Sequence, residues 1–216
     1  MVRVQRIPLF PLHLVLFPNM PLPLHIFELR YRRMIRRCME EKEEFGVILH
    51  SGKELSRVGC TARVEGFLKE YGDGRFDILA LGHERFKVRT FFEDHSHLEA
   101  EVQFFHDDPA DPWEIPKLKE LSSRATEGLM SLAALEDFSV DGELLQSLEP
   151  EAESLLICGT GLFSLEEKQA LLETQNTRER LERSVMRIGE RLKQRRAEKK
   201  IEDLLGGKID FSSLIN

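Results

Sequence analysis

From Ile7 to Leu49 the apolar positions change period as the chain proceeds, and each period predicts a different element. Up to Leu24 the apolar side chains come in short runs broken by Pro8, Pro11, Pro18, Pro21 and Pro23. Proline removes a backbone donor and fixes φ, which a central strand tolerates poorly. These runs therefore read as short strands at the edges or bends of a sheet. Their side chains (Leu9, Phe10, Leu12, Leu14, Val15, Leu16, Phe17, Leu22 and Leu24) still need burial. At Phe27 the period switches: Phe27, Tyr31, Met34, Ile35 and Cys38 fall at i, i+4, i+7, i+8 and i+11, one face of a helix. Phe45 to Leu49 then reads as a buried strand and His50 to Arg57 as a polar loop.

Alternation takes over beyond that loop. Cys60, Ala62 and Val64 alternate with polar neighbours, as do Phe76, Ile78 and Ala80, then Phe86 and Val88, then Leu98, Ala100, Val102 and Phe104. These are half-buried antiparallel strands. Tyr71-Gly72-Asp73-Gly74 predicts a turn, because Asp-Gly reaches φ > 0 cheaply. A second turn is expected at Gly82. Sequential hairpins of this kind close most simply into a barrel or a curled sheet. The segment HDDPADP, from His106 to Pro112, breaks the pattern, and helical spacing follows. Asp111-Pro112-Trp113-Glu114, Ser164 with Glu167, and Asn176 with Glu179 carry helix-start chemistry. The expected division is a β-rich part over residues 1–107, a helical part over 111–200 and a tail over 201–216, an α+β chain. The tail, with Ile209, Phe211, Leu214 and Ile215, is expected either to fray or to dock.

Composition narrows the function. The chain has 216 residues and a formal net charge of −7, which disfavours non-specific nucleic-acid binding while leaving room for a local basic site. Its three cysteines, Cys38, Cys60 and Cys158, are widely spaced and form neither a CxxC nor a paired framework. A cytoplasmic, reducing setting fits them. The N-terminal apolar run is too broken by proline for a signal peptide, and no uncharged run reaches the length of a membrane span. Acidic residues dominate from Asp107 to Asn176 and basic ones from Thr177 to Lys200. The basic last helix therefore either lies against the acidic ones or serves as an arm for an acidic partner.

Catalytic chemistry is not evident. No GxxxxGK[ST] is present, since Gly206-Gly207-Lys208 lacks the upstream glycine, and no GxSxG occurs. No cofactor is implied. His95, His97 and Glu99 would share one face of an extended segment, the spacing of a metal trio or simply of an exposed strand end. Binding readings remain. The arginines Arg30, Arg32, Arg33, Arg36 and Arg37 lie off the apolar face of the first helix. They form either a phosphate-binding stripe or a solvated face paired with nearby glutamates. The Pro-punctuated segments hold more apolar surface than a thin sheet hides. Phe10, Leu12, Leu14, Phe17, Met20 and Leu22 are thus candidates for a peptide-binding surface, with plain core as their alternative. An exposed strand edge is a further route to binding an extended peptide.

Two motif sets carry a family resemblance. One is IPLFPLHLVLFPNMPLPLHIFELRYRRMIRRC followed by FGVIL, VGCTARV and GRFDILALGHERFKV; the other is SLEEKQALLETQNTRERLE, Ser164 to Glu182. Their order over most of residues 5–195 resembles the N-terminal, substrate-binding domain of Lon proteases. The resemblance implies a PUA-like, partly open β-barrel with one helix inserted, then a C-terminal helical bundle. It implies a role in engaging unfolded substrates. In full Lon proteases an AAA+ ATPase and a Ser-Lys peptidase follow this domain, and neither motif set is present here. The expectation is a stand-alone, non-enzymatic module that binds exposed apolar or unfolded protein segments, in the manner of an adaptor, and does not engage membranes. The alternative is an RNA-binding module, as PUA-like barrels often are, using the Arg30–Arg37 helix and the basic last helix. A small-molecule pocket is a third reading.

Overall fold

In the structure, a computed structural model describing residues 3–52, 54–93, 96–136 and 138–205, the strands come first and the helices follow. The order is β1 (Val4–Leu12), β2 (Pro21–Ile26), α1 (Leu29–Glu41), β3 (Phe45–Ser51), β4 (Glu54–Glu70), β5 (Phe76–Phe92) and β6 (Glu99–Phe104). Then come α2 (Ile115–Glu136), α3 (Gly142–Ser147), α4 (Pro150–Gly159), α5 (Leu165–Glu173) and α6 (Thr177–Leu205). The six-stranded sheet runs β2-β5-β4-β3-β1-β6, and β5 pairs with β6 as well. Different stretches of β5 serve β2 and β6: Phe76 to Leu81 pairs with β2, and Phe86 to Phe92 with β6. The sheet therefore curls back on itself while β2 remains an outer edge. This is the mixed α+β architecture expected, with a curled sheet rather than a clean barrel.

Several local expectations change. His50–Arg57 is not a loop, because β3 continues to Ser51 and β4 begins at Glu54. Gly82 is not a turn, because β5 passes straight through it. A Cβ there would stand 2.2 Å from the Phe17 carbonyl oxygen, so the glycine lets a neighbouring segment approach the strand. β1 and β3 pair in parallel, with Leu9 beside Gly46 and Leu12 beside Leu49. A parallel pair needs a long connection, and the β2–α1 segment supplies it.

Two of the three expected helix starts follow their chemistry; the third does not, because Asp111 to Glu114 forms a turn and α2 begins only at Ile115. Ser164 and Glu167 form a reciprocal capping box, and Asn176 accepts from the Glu179 N–H at 3.0 Å. α6 lies against acidic neighbours: Arg178 pairs with Glu114 at 2.6 Å, Arg191 with Glu136 at 2.5 Å, and Arg187 with Glu167. The basic last helix is thus used within the chain. Leu181 and Ile188 of its apolar seam are buried with Leu118, Leu121, Ala125 and Leu129 of α2.

Strands and helices meet at two kinds of contact. One is apolar: Val15, Phe17, Leu49 and Val58 pack with Leu155, Phe163, Leu171 and Leu172. The other is ionic and buried. Asp107 lies between Arg85 of β5, at 2.5 Å, and Arg180 of α6, with all three side chains at most 3% exposed. Arg85 also donates to the Leu172 and Thr174 carbonyls, and Arg180 to Thr174 O and Ser154 Oγ. Burial pushes the Asp107 carboxyl up. Hydrogen bonds from Arg180 and Thr177 and the two guanidinium charges outweigh that push and hold it below the usual range.

Candidate peptide-binding groove

The Pro-punctuated run divides at the end of β1. Even positions of β1, Phe10 and Leu12, face α1, while Ile7 and Leu9 face the interior of the curled sheet with Phe86, Val88 and Val102. After β1 the chain runs as a strap across β5. Asn19 N–H donates to the Gly82 carbonyl at 2.8 Å, and Gly82 N–H to the Met20 carbonyl at 2.9 Å. The strap carries Phe17 into the apolar junction with the helices, where it is fully buried. Met20 bridges this junction and the core beneath α1, and a Cβ at Gly159 of α4 would collide with its sulfur.

Where β1 ends, the structure leaves a groove of about 570 Å³. Phe10, Leu12, Leu24, Ile26, Phe27, Tyr31, Leu55 and Leu98 supply its apolar lining, with His25, Glu28, Arg30 and His50 among them. Phe10 stacks on Tyr31 with ring centroids 4.1 Å apart, and the Arg30 guanidinium lies 4.6 Å from the Tyr31 ring. Burial raises the Tyr31 hydroxyl above its ordinary value, so at neutral pH it is a neutral hydrogen-bonding group. Arg30 is held by Glu28 at 2.8 Å, and His25 by Asp77 at 2.5 Å, so the rim charges are largely compensated. Phe27 is the most exposed aromatic of the lining, at 60%.

The six apolar candidates thus have different fates. Phe10 and Leu12 line the groove, Phe10 as a mostly buried wall. Leu14 is a half-buried neighbour of the core beneath α1, and Leu22 is buried within that core. Phe17 and Met20 belong to the strap. Phe17 therefore presents no surface to a partner, and a charge there would attack the fold rather than a binding face. Phe27 is the residue that the periodicity misassigned. It precedes the first helical residue, Leu29, so it falls off the buried face formed by Tyr31, Met34, Ile35 and Cys38. Leu55 of β4 and Leu98, which immediately precedes β6, reach the groove from distant parts of the sequence, which local spacing does not signal.

The free edge of β2 limits how a peptide is held. Met20 O accepts from Gly82, and pairing from Pro21 to Ile26 has no register shift. Backbone groups alternate in an antiparallel ladder. Leu22, Leu24 and Ile26 therefore direct theirs toward β5, and Pro21, Pro23 and His25 direct theirs outward. Only His25 of the outward group has an N–H to offer. Proline thus blunts this edge against strand addition.

The arginines of α1 are mostly engaged. Besides Arg30, Arg32 donates to the Asp73 carbonyl at 2.8 Å, Arg36 pairs with Glu70 at 2.5 Å, and Arg37 lies 3.8 Å from Glu41 and 3.9 Å from Glu99. Arg33 is exposed with no ion pair to a described residue. The helix uses this face to grip the β4–β5 hairpin. Of the proposed metal trio, His95 lies outside the described residues, while His97 and Glu99 are buried 3.4 Å apart and Glu99 pairs with Arg6 at 2.6 Å. Glu44, His83 and Glu84 bring ligand-type atoms within 4.8 Å of one another, but Arg63 and Arg3 already pair with the two carboxylates. The cysteines are buried and free. Burial pushes the Cys38 and Cys158 thiols up to about 11 and Cys60 higher still, so none is an activated nucleophile at neutral pH. Residues of the expected tail from Gly206 onward lie outside the described part. No helix among the described residues is long and apolar enough to cross a membrane.

Residues 6–188 match the family described as the ATP-dependent protease La (LON) substrate-binding domain. The chain belongs to that family. Lon protease 2 of Syntrophobacter fumaroxidans is 25% identical over 217 residues, covering 95% of this chain and 27% of that protein. Zebrafish cereblon is 34% identical over 93 residues, 39% of this chain and 22% of that protein. The chain spans about a quarter of the length of the curated relatives it matches. A crystal structure of a Lon N-terminal domain protein from Xanthomonas campestris superposes with a TM-score of 0.62 at 25% identity, covering 83% of this chain and 96% of that one. The N-terminal domain of a Mycobacterium avium complex Lon protease gives 0.69 at 16% identity, covering 86% and 98%, a likeness of fold. Membership of a substrate-binding family supports a substrate-recognition module, and the groove is one of the places where the structure offers apolar surface, beside a second recess lined by Leu129, Leu132, Phe138 and Val140.

Proposed function

We propose that this Lon substrate-binding-family chain recognises unfolded or extended protein segments by taking their apolar side chains into the groove between β1, β2 and α1. The observation that carries the reading is Phe27, an exposed aromatic ring beside an apolar recess lined by Phe10, Leu12 and Tyr31. Compensated rim charges favour apolar over charged occupants, and the proline-blunted β2 edge favours side-chain capture over strand addition. The module holds its partner without turning it over, as an adaptor does, in a reducing compartment that keeps its three cysteines free. Residues 1–107 supply recognition and residues 111–200 brace them.

The test is a titration of a labelled, permanently unfolded polypeptide rich in Leu and Phe. Binding is expected to be weak and to change little with salt, because apolar burial is not screened. Phe27→Asp should weaken it at least about tenfold, equal to about 1.4 kcal/mol, with the melting curve unchanged. Undiminished binding by a folded Phe27→Asp protein refutes the groove.

A further inference from the structure

A second recess lies on another side of the curled sheet, where β4, β5 and β6 meet the end of α5. It measures about 560 Å³, and its basic residues are Arg57, Lys87 and Arg89. Val58 pairs with Lys87 across β4 and β5, and Lys87 with Gln103 across β5 and β6, so this wall is built by adjacent strands rather than by a loop. Half-buried Phe105 and the edge of buried Val58 give it apolar lining, while Val88 meets it only through its backbone, its side chain pointing into the sheet interior. Glu173 is its one acidic residue, and that carboxylate accepts from Gln169 at 2.8 Å.

These cations stand out because the protein pairs its arginines so thoroughly. Among the described arginines, Arg57 and Arg89 share only with Arg33 and Arg196 the lack of both a carboxylate and a backbone carbonyl partner. Arg89 is oriented instead by the neutral Gln103 Oε1, at 2.8 and 3.2 Å, so its charge is fixed in direction without being neutralised. Arg57 approaches the Phe91 ring at 5.9 Å, and no carboxylate lies within ion-pair distance of Lys87 among the described residues. Uncompensated guanidinium groups favour phosphate, which their fork binds bidentately. A recess of this volume is the size of a small-ligand site.

We propose that this recess binds a small phosphate-bearing ligand of nucleotide size. Arg57, Lys87 and Arg89 hold the phosphate groups, and the Phe105 and Val58 lining receives the uncharged part. The site is separate from the apolar groove and does not depend on it.

Calorimetric titration of the full chain with ADP, inorganic pyrophosphate and adenosine tests this, alongside single variants Arg57→Ala, Arg89→Ala and Arg33→Ala. ADP and pyrophosphate should bind with an affinity that falls as salt rises, and ADP binding tighter than pyrophosphate reports the apolar lining. Arg57→Ala and Arg89→Ala should each weaken binding at least fivefold with unchanged melting curves, while Arg33→Ala, an unpaired arginine on a different element, leaves it intact. The proposal is overturned if neither ADP nor pyrophosphate binds at millimolar concentration, if adenosine binds as tightly as ADP, or if Arg33→Ala costs as much as the recess variants.

Discussion

The two ends of one Pro-punctuated segment, β1 and the strap that follows it, have similar composition and opposite uses. The strap end, with Val15 and Phe17, is sealed beneath α4 and α5, whereas the end of β1, with Phe10 and Leu12, opens into a groove beside exposed Phe27. Apolar character alone does not separate them. The difference comes from what the rest of the chain lays on top: helices cover the strap, and no described element closes the groove. A hydrophobic run becomes core or binding surface according to partners distant in sequence.

Substitutions in the two places should therefore behave differently. Phe17→Asp is expected to have the largest effect, at least about 5 kcal/mol. Truncating a buried Phe costs about 3–5 kcal/mol, and an unpaired buried carboxylate adds its desolvation. Circular dichroism should show a largely unfolded chain at 25 °C. A folded Phe17→Asp protein would show that the strap is not the sealed end.

The ionic part of the same junction comes next. Asp107→Ala leaves Arg85 and Arg180 buried without their shared counter-charge, and should cost about 3–5 kcal/mol in urea unfolding. The Asp107 carboxyl is held below its usual range in the fold. Its stabilisation is therefore fully present above the ordinary carboxyl value of about 3.9. It fades as pH falls through the lower folded value. The urea midpoint of the wild type should drop across that acid range, and Asp107→Asn should lack this part of the loss.

At the open end the expected stability changes are small. Phe27→Asp should move stability by no more than about 0.5 kcal/mol, as exposed positions do, while removing most of the peptide binding. Smaller still is Arg36→Gln, which breaks an exposed pair with Glu70 worth at most about 1 kcal/mol and should leave peptide binding unaltered. A large loss of binding there would shift recognition from the groove to the arginine face of α1.

Much of the fold was legible where local chemistry decides it. The helical face of Tyr31, Met34, Ile35 and Cys38, the alternation through β4 to β6 and the Ser164 capping box each follow from neighbours in sequence. What escaped depends on long-range contact. Gly82 resembles a turn residue locally, but the Phe17 carbonyl pressing on β5 requires it within a continuous strand. The site was half legible. Phe10 and Leu12 could be named from their apolar run, whereas Phe27 was hidden by a helical period that happens to extend past the helix start. Leu55 carries no local mark, and the alternation that includes Leu98 does not show that it reaches the groove. Arg57 and Arg89 are distinguished only by the carboxylates they lack, which no sequence pattern displays.

The most direct test of the open groove is methyl NMR on Leu- and Ile-labelled protein during titration with the unfolded polypeptide. The methyls of Leu12, Leu24, Ile26, Leu55 and Leu98 should shift together and saturate at one affinity, with those of Leu155, Leu171 and Leu172 unmoved. Shifts centred on the strap and helix junction, or none in the groove at saturating ligand, would contradict the account.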